Sequence, residues 1–293
     1  MTTAQGDLFI TNLIKHNIIR EPVFSIYLNR QDENGYTGEI VMGGYETSRF
    51  TGQLSFLPVI QYDSSGKANI GQSYEPIDKT PNSFRYWTVP GQAVSVVQSD
   101  GTAVYETQLN ELQPAILDTG TTLSYLPGHI VTEILESITS YYKPLKLNDD
   151  SIQAYQVNCS DFLDQRTLWL YFQFSTAPNH FTAKPAMIRV PLREMVLPQD
   201  TTNIKTAKTC LFGMAPISTE SLSSTGWILG QTVLRSAYVV HDMLGLQVGI
   251  GAAANGYDFP TVDQVTNNSN IIAKLSDTTY SIIIMIFVTF VFF

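Results

Sequence analysis

Basic residues are scarce in this 293-residue chain: lysine and arginine total 17 against 26 acidic residues, a formal net charge of -9. Binding nucleic acid takes a clustered cationic footprint, and no such cluster occurs anywhere in the sequence. Cysteine is scarcer still, with Cys159 and Cys210 alone, compatible with one disulfide or with two free thiols. There is no Cys-x-x-Cys or His-Glu-x-x-His, and His16, His129, His180 and His241 show no metal-ligand spacing. Neither a metal nor a cofactor is expected. No internal repeat points to a solenoid. What is present is ordinary for a globular chain: 44% hydrophobic residues, with 15% charged on the low side. An acidic, Thr/Ser-rich, lysine-poor chain fits a secreted protein working below neutral pH, and composition alone fits an acidic cytosolic protein equally well.

The two ends point in different directions. The C-terminus is apolar to the last residue, and Ile282–Phe293 is 12 residues, about 18 Å as a helix. A bilayer core of roughly 30 Å takes about 20 apolar residues, so the segment is short for a span. It follows a more polar stretch, Ile271–Thr279, and the small polar cluster Asn267-Asn268-Ser269-Asn270. Small residues, a spacer and an apolar end are the layout of a GPI-attachment signal; a tail anchor and an apolar terminal strand are the rivals. The N-terminus, from Met1 to Phe9, has neither a basic n-region nor an apolar h-region. A GPI signal works only in the secretory pathway, so the expectation is a chain that begins inside a longer protein. Asn158-Cys159-Ser160 and Asn267-Asn268-Ser269 match the N-glycosylation acceptor pattern.

Between the ends, β-rich runs separated by Asp, Asn and Gly turns predict strands at 23–28, 38–42, 52–57, 86–89, 94–97, 168–174, 187–190 and 237–240. One helix is expected from His129 to Tyr142, where Ile130, Ile134, Leu135 and Ile138 recur at 3–4 spacing after Pro127-Gly128. A shorter helix is expected to end near Asn17. Asp63-Ser64-Ser65-Gly66 and Gly35-Tyr36-Thr37-Gly38 read as turns. The class is all-β with small helices, the folded part closing at Gly256.

The informative segment runs from Ala115 to Leu126. Apolar Ile116 and Leu117 deliver Asp118, Gly120 supplies a sharp turn, and Thr121 and Thr122 offer hydroxyls to the carboxylate. Such donors matter because burying a carboxylate without partners costs several kcal/mol. Asp118-Thr119-Gly120-Thr121-Thr122 resembles the second catalytic motif of pepsin-family aspartic proteases. Trp227-Ile228-Leu229-Gly230 resembles the family's apolar-apolar-Gly motif, and 231–242 with 247–251 its closing strands. Cys159 and Cys210, 51 residues apart, resemble the family's second-lobe disulfide pair. Residues 35–59 are similar to the stretch joining the lobes, and Tyr86-Trp87 to the opening of the second lobe. The resemblance covers about Val23 to Gly251 and is nearest to fungal cell-surface members, the yapsins and candidapepsins.

This resemblance implies a pepsin-like acid protease fold: a C-terminal lobe (59–256) with a remnant of the first lobe and interlobe strands (1–58). A stem (257–268) and a GPI signal (269–293) follow, and the N-terminal catalytic lobe is largely missing. It implies Asp118 as a catalytic aspartate, with Gly120, Thr121 and Thr122 bordering bound polypeptide. Thr121 and Thr122 are divided between carboxylate support and cleft lining; Trp227, Ile228 and Leu229 are expected in the core. The family's reaction uses two aspartates, and this sequence holds a single Asp-Thr/Ser-Gly. Three readings follow: an endopeptidase in truncated form, a non-enzymatic cell-surface protein on the same lobe, and a homodimer in which each chain supplies one Asp118. The implied partners are polypeptide substrates and the missing lobe, not nucleic acid. Contact with a membrane is implied only through the C-terminal tail.

Overall fold

The computed structural model describes residues 9–31, 38–75, 84–147, 152–163, 168–217 and 226–254, together with a two-residue strand at 284–285. The chain opens with α1 (Phe9–Lys15), β1 (Val23–Leu28), β2 (Gly38–Met42) and β3 (Phe50–Pro58). Next come β4 (Thr88–Gln98), β5 (Ala103–Glu106), β6 (Gln113–Leu117), β7 (Ser124–Leu126), α2 (Gly128–Ile138), β8 (Tyr142–Leu147) and β9 (Ile152–Asn158). After α3 (Ser160–Leu163) lie β10 (Leu168–Phe174), β11 (Ala186–Pro191), β12 (Val196–Pro198), β13 (Thr209–Phe212) and β14 (Met214–Pro216). The last elements are β15 (Trp227–Leu229), α4 (Gln231–Leu234), β16 (Ala237–Asp242), β17 (Gln247–Ala253) and β18 (Ile284–Met285).

Three sheets organise these strands. A six-stranded sheet, β18-β2-β1-β16-β17-β3, joins early and late parts of the chain: Val23–Ile26 pair with Val239–Asp242, and Phe50–Pro58 with Gln247–Ala253. An eight-stranded sheet has the order β11-β10-β4-β6-β15-β7-β14, with β5 added to β4. The third is β12-β13-β9-β8. The main core lies among them. Alternate residues of β10, Leu170, Phe172 and Phe174, enter it with Val94, Val96, Ile188 and Val190, as the two-residue period of a strand requires. Helix α2 closes the core with Ile130, Val131, Ile134, Leu135 and Ile138, one apolar stripe at 3–4 spacing.

The expected class, all-β with small helices, matches this architecture, and the differences lie at boundaries. Helix α2 ends at Ile138, not Tyr142. Thr139 is extended, and its Oγ1 donates to Asp161 Oδ2 at 2.7 Å while accepting from Tyr141 N. Those bonds compete with the helix, and Pro144 disfavours helical geometry at Lys143. Tyr142 instead pairs with Val157 in β9. The two strands expected at 86–89 and 94–97 are one, β4. Pro90 and Gly91, between the two expected runs, pair with Pro114 and Gln113, beside a register shift, the setting in which a strand tolerates them. A side chain at position 91 would put a Cβ 2.5 Å from the Trp227 ring, so glycine makes room for that indole. Helix α1 ends as expected, with Asn17 at φ 55° and Ile18 N donating to Leu13 O, a left-handed asparagine cap.

Asp63–Gly66 is a turn, its Asp63 carboxylate accepting from Ser65 Oγ and Lys67 N. Of the turn expected at 35–38, residues 35–37 lie outside the described residues, as do the stem and the tail apart from β18. That strand pairs antiparallel with β2, Ile284 opposite Ile40 and Met285 opposite Glu39. Among the described residues no helix is long and apolar enough to cross a membrane. Cys159 and Cys210 form a disulfide, which ties the end of β9 to β13.

Candidate active site

Asp118 stands where three strands meet. β6 is buried from Pro114 to Leu117, and its apolar residues make it a central strand. It runs antiparallel to β4 and parallel to β15, with Leu117 level with Leu229. The register puts Asp118 N against Leu229 O at 2.9 Å, at the end of β15. Because β15 lies between β6 and β7, the chain from Asp118 to Leu123 must arch over the tip of β15 to reach β7. Gly230 sits beneath that arch. A Cβ there would lie 2.2 Å from Leu123 O and 2.6 Å from Thr121 O. No side chain fits against two backbone oxygens at that range, which explains a glycine after Trp227-Ile228-Leu229.

The carboxylate is held by the loop that carries it. Gly120 N donates to Oδ1 at 2.9 Å and Thr121 Oγ1 to Oδ2 at 2.6 Å. Donors to a charged acceptor give the stronger class of hydrogen bond, and here one serves each oxygen. Asp118, Thr119, Thr121 and Thr122 are half-buried and Gly120 is exposed, so the carboxylate is ordered and reachable. The structure thus brings Asp118, Gly120, Thr121 and Thr122 onto one loop. It separates the two threonines by their hydroxyls: that of Thr121 bonds the carboxylate and that of Thr122 does not, while both backbone carbonyls accept from α4. Cys159, which directly follows β9, and Cys210 on β13 are joined to each other by the disulfide and make no bond to this loop among those described. Trp227 and Leu229 are fully buried, as expected of core residues, while Ile228 is half-buried and pairs with Tyr125.

A second tier fixes the arch. Gln231 N and Thr232 N donate to Thr121 O and Thr122 O, so the first amides of α4 are spent on the loop. Gln231 Nε2 donates to Thr119 O at 2.9 Å, and its Oε1 accepts from Arg235 Nη2 at 3.1 Å. The two contacts fix which way the amide faces: nitrogen to the loop, oxygen to the guanidinium. Ser124 Oγ accepts from Gly230 N at 3.0 Å and shares a hydrogen bond with Thr232 Oγ1, which in turn donates to Gly213 O. Sequence reading left Ser124, Gln231, Thr232 and Arg235 unassigned. The signal was there: four polar residues, two of them directly after Gly230, inside otherwise apolar runs that fold as core.

The arrangement can present one ordered carboxylate to water and to a bound chain. Among the described residues no group of three His, Cys, Asp or Glu side chains could hold a metal ion. A β-rich fold in which an aspartate-bearing loop arches over an apolar-apolar-Gly strand defines the class of acid proteases. Comparison with known proteins agrees: the family model described as eukaryotic aspartyl protease matches residues 1–253, and the chain belongs to that family. It is 29% identical over 246 residues to the probable aspartic-type endopeptidase OPSB of Arthroderma otae, covering 81% of this chain and 42% of that protein. Aspartic proteinase 3 of Saccharomyces cerevisiae is 26% identical over 262 residues, 89% of this chain and 38% of its own length. Mucorpepsin of Rhizomucor pusillus is 24% identical over 261 residues, 88% of this chain and 51% of its own. The chain therefore spans about half or less of the curated relatives it matches.

Proposed function

We propose that this chain is the second lobe, with interlobe strands, of an endopeptidase that hydrolyses polypeptides at acid pH, and that Asp118 is one of its two catalytic aspartates. The observation that carries the reading is the clamp on Asp118, one donor to each carboxylate oxygen at the tip of β15. Two carboxylates facing one water share a proton, because both cannot ionise at close range. The ionised one takes the water's proton and the protonated one donates to the scissile carbonyl, each role typically contributing 10²–10⁴ in rate. Asp118 is the only aspartate of the sequence in an Asp-Thr/Ser-Gly motif. The second carboxylate and the flap accordingly belong to a first lobe outside these 293 residues. Gly120, Thr121 and Thr122 border the substrate, Gly120 by its exposed backbone. The disulfide is consistent with an oxidising compartment, and the small-residue cluster before the apolar C-terminal tail supports GPI anchoring at the cell surface.

The test is hydrolysis of a denatured protein substrate at acid pH by the purified two-lobed protein, first lobe included, with and without a statine-type inhibitor. Cleavage blocked by the inhibitor and lost in Asp118→Ala supports the reading. The lone motif also favours a second one, a non-enzymatic surface protein built on the same lobe. No cleavage, and no shift in unfolding temperature on adding the inhibitor, would select it.

A further inference from the structure

The acceptor-like triplet Asn158-Cys159-Ser160 is divided by the fold into three environments. Asn158 ends β9, exposed, opposite Thr209. Cys159 is fully buried and bonded to Cys210; its N–H donates to Lys208 O, and its carbonyl accepts from Phe162 N and Leu163 N. Ser160 starts the short helix α3, with its hydroxyl on Asp161 Oδ1 at 3.3 Å. A transferase must hold the backbone of all three residues and read the third hydroxyl. Once Cys159 is bonded and both its backbone groups are paired, that backbone is closed to any enzyme. The exposed Asn158 side chain nevertheless leaves room for an attached glycan in the finished fold.

We propose that Asn158 is an N-glycosylation acceptor whose occupancy is set by a race with closure of the Cys159–Cys210 disulfide, the glycan having to arrive first. The inference rests on the proposed passage through the secretory pathway. Asn158 Nδ2 forms a bond to the anomeric carbon of a lipid-pyrophosphate-linked oligosaccharide. The bond from that carbon to the pyrophosphate oxygen breaks, the lipid pyrophosphate leaves, and the amide gives up one proton. In the competing step the two thiols lose two electrons and two protons to a disulfide-exchange oxidant of the same compartment. Cys210 follows Cys159 by 51 residues. At about 5–20 residues per second the triplet is therefore free of its partner for about 3–10 s. Disulfide formation takes seconds or longer, so the two steps run on comparable clocks and occupancy is partial.

The experiment is translation of the whole chain behind an appended cleavable signal sequence, in the presence of endoplasmic-reticulum microsomes. Occupancy at Asn158 and Asn267 is read by mass spectrometry as Asn-to-Asp conversion on enzymatic glycan removal. The expected result is partial occupancy of Asn158 in the wild type, rising about twofold or more in Cys210→Ser or under reductant, with Asn267 unmoved. Ser160→Ala should abolish the signal at Asn158 alone. An unmodified Asn158 in Cys210→Ser, in chains protected inside microsomes, overturns the assignment of the acceptor. Equal occupancy with and without Cys210 overturns the race. The appended signal makes import independent of the secretory reading, which fails separately if the native protein is found outside that pathway in cells.

Discussion

The acid stability of the chain should be governed in good part by one buried imidazole. His241 is 3% exposed on β16, its ring stacked on Phe24 at 4.3 Å and edge-on to Trp87 at 4.8 Å. Among the described residues its Nδ1 has no hydrogen-bond partner. Burial pulls the imidazole down to about 3 from its ordinary 6.5, with a backbone hydrogen bond at Phe24 opposing more weakly. Above pH 6.5 the ring is neutral both folded and unfolded, and titration contributes nothing. Below it the unfolded chain takes up a proton that the folded chain refuses, so stability falls by about 1.4 kcal/mol per pH unit until the pH nears the folded value. From pH 7 to pH 4 the loss comes to about 3 kcal/mol. Replacing His241 by Phe keeps an aromatic ring in the stack and removes the proton site. Urea unfolding of both proteins at the two pH values isolates the effect, because carboxylate titration is common to both and cancels in the double difference. We expect the wild type to lose about 3 kcal/mol more than the variant between pH 7 and pH 4. Parallel losses, within about 0.5 kcal/mol, would refute the reasoning.

Three further outcomes follow from the site and its support. Gly230→Ala should abolish cooperative folding or displace the loop from 118 to 123, since its Cβ would meet two backbone oxygens; loss of the sharp thermal transition checks it. Gln231→Leu removes the donor to Thr119 O and the acceptor for Arg235 Nη2. It should cost about 2–4 kcal/mol in urea unfolding, whereas a loss under about 0.5 kcal/mol would mean the tier carries no load. Replacing Cys159 and Cys210 together by alanine opens a 51-residue loop and should lower stability by about 4 kcal/mol in the chain-entropy description, measured as a fall in the urea midpoint.

Most of what positions the site is legible in the sequence. Strand alternation placed β1, β2, β10 and β16 within a residue or two, because each is a β-rich run between turn formers. The carboxylate loop was legible because its chemistry is local: Asp118, Gly120 and Thr121 are within four residues and bond one another. Elements whose cause is distant were harder to see. Helix α2 stops early in part because Asp161, 22 residues on, captures Thr139, and Pro90-Gly91 stays in a strand because Trp227 needs the space; neither of these causes lies nearby in the sequence. The third sheet was missed almost entirely. Its β8 carries Lys143, Pro144 and Lys146 as an edge strand and has no apolar run to betray it. The Gln231–Arg235 tier was hidden for a related reason, since polar side chains that face inward look the same in sequence as those that face water.

The proposal stands or falls on Asp118 being one of the two carboxylates that hydrolyse the peptide bond. Its most direct test is the rate of peptide hydrolysis at acid pH by the two-lobed protein, first lobe included, as wild type and as Asp118→Asn, a substitution that retains an acceptor oxygen for the loop and removes the acid. A loss of at least about 10²-fold in kcat, with the fold unchanged by circular dichroism, is the predicted result. Activity within about tenfold of the wild type would contradict it.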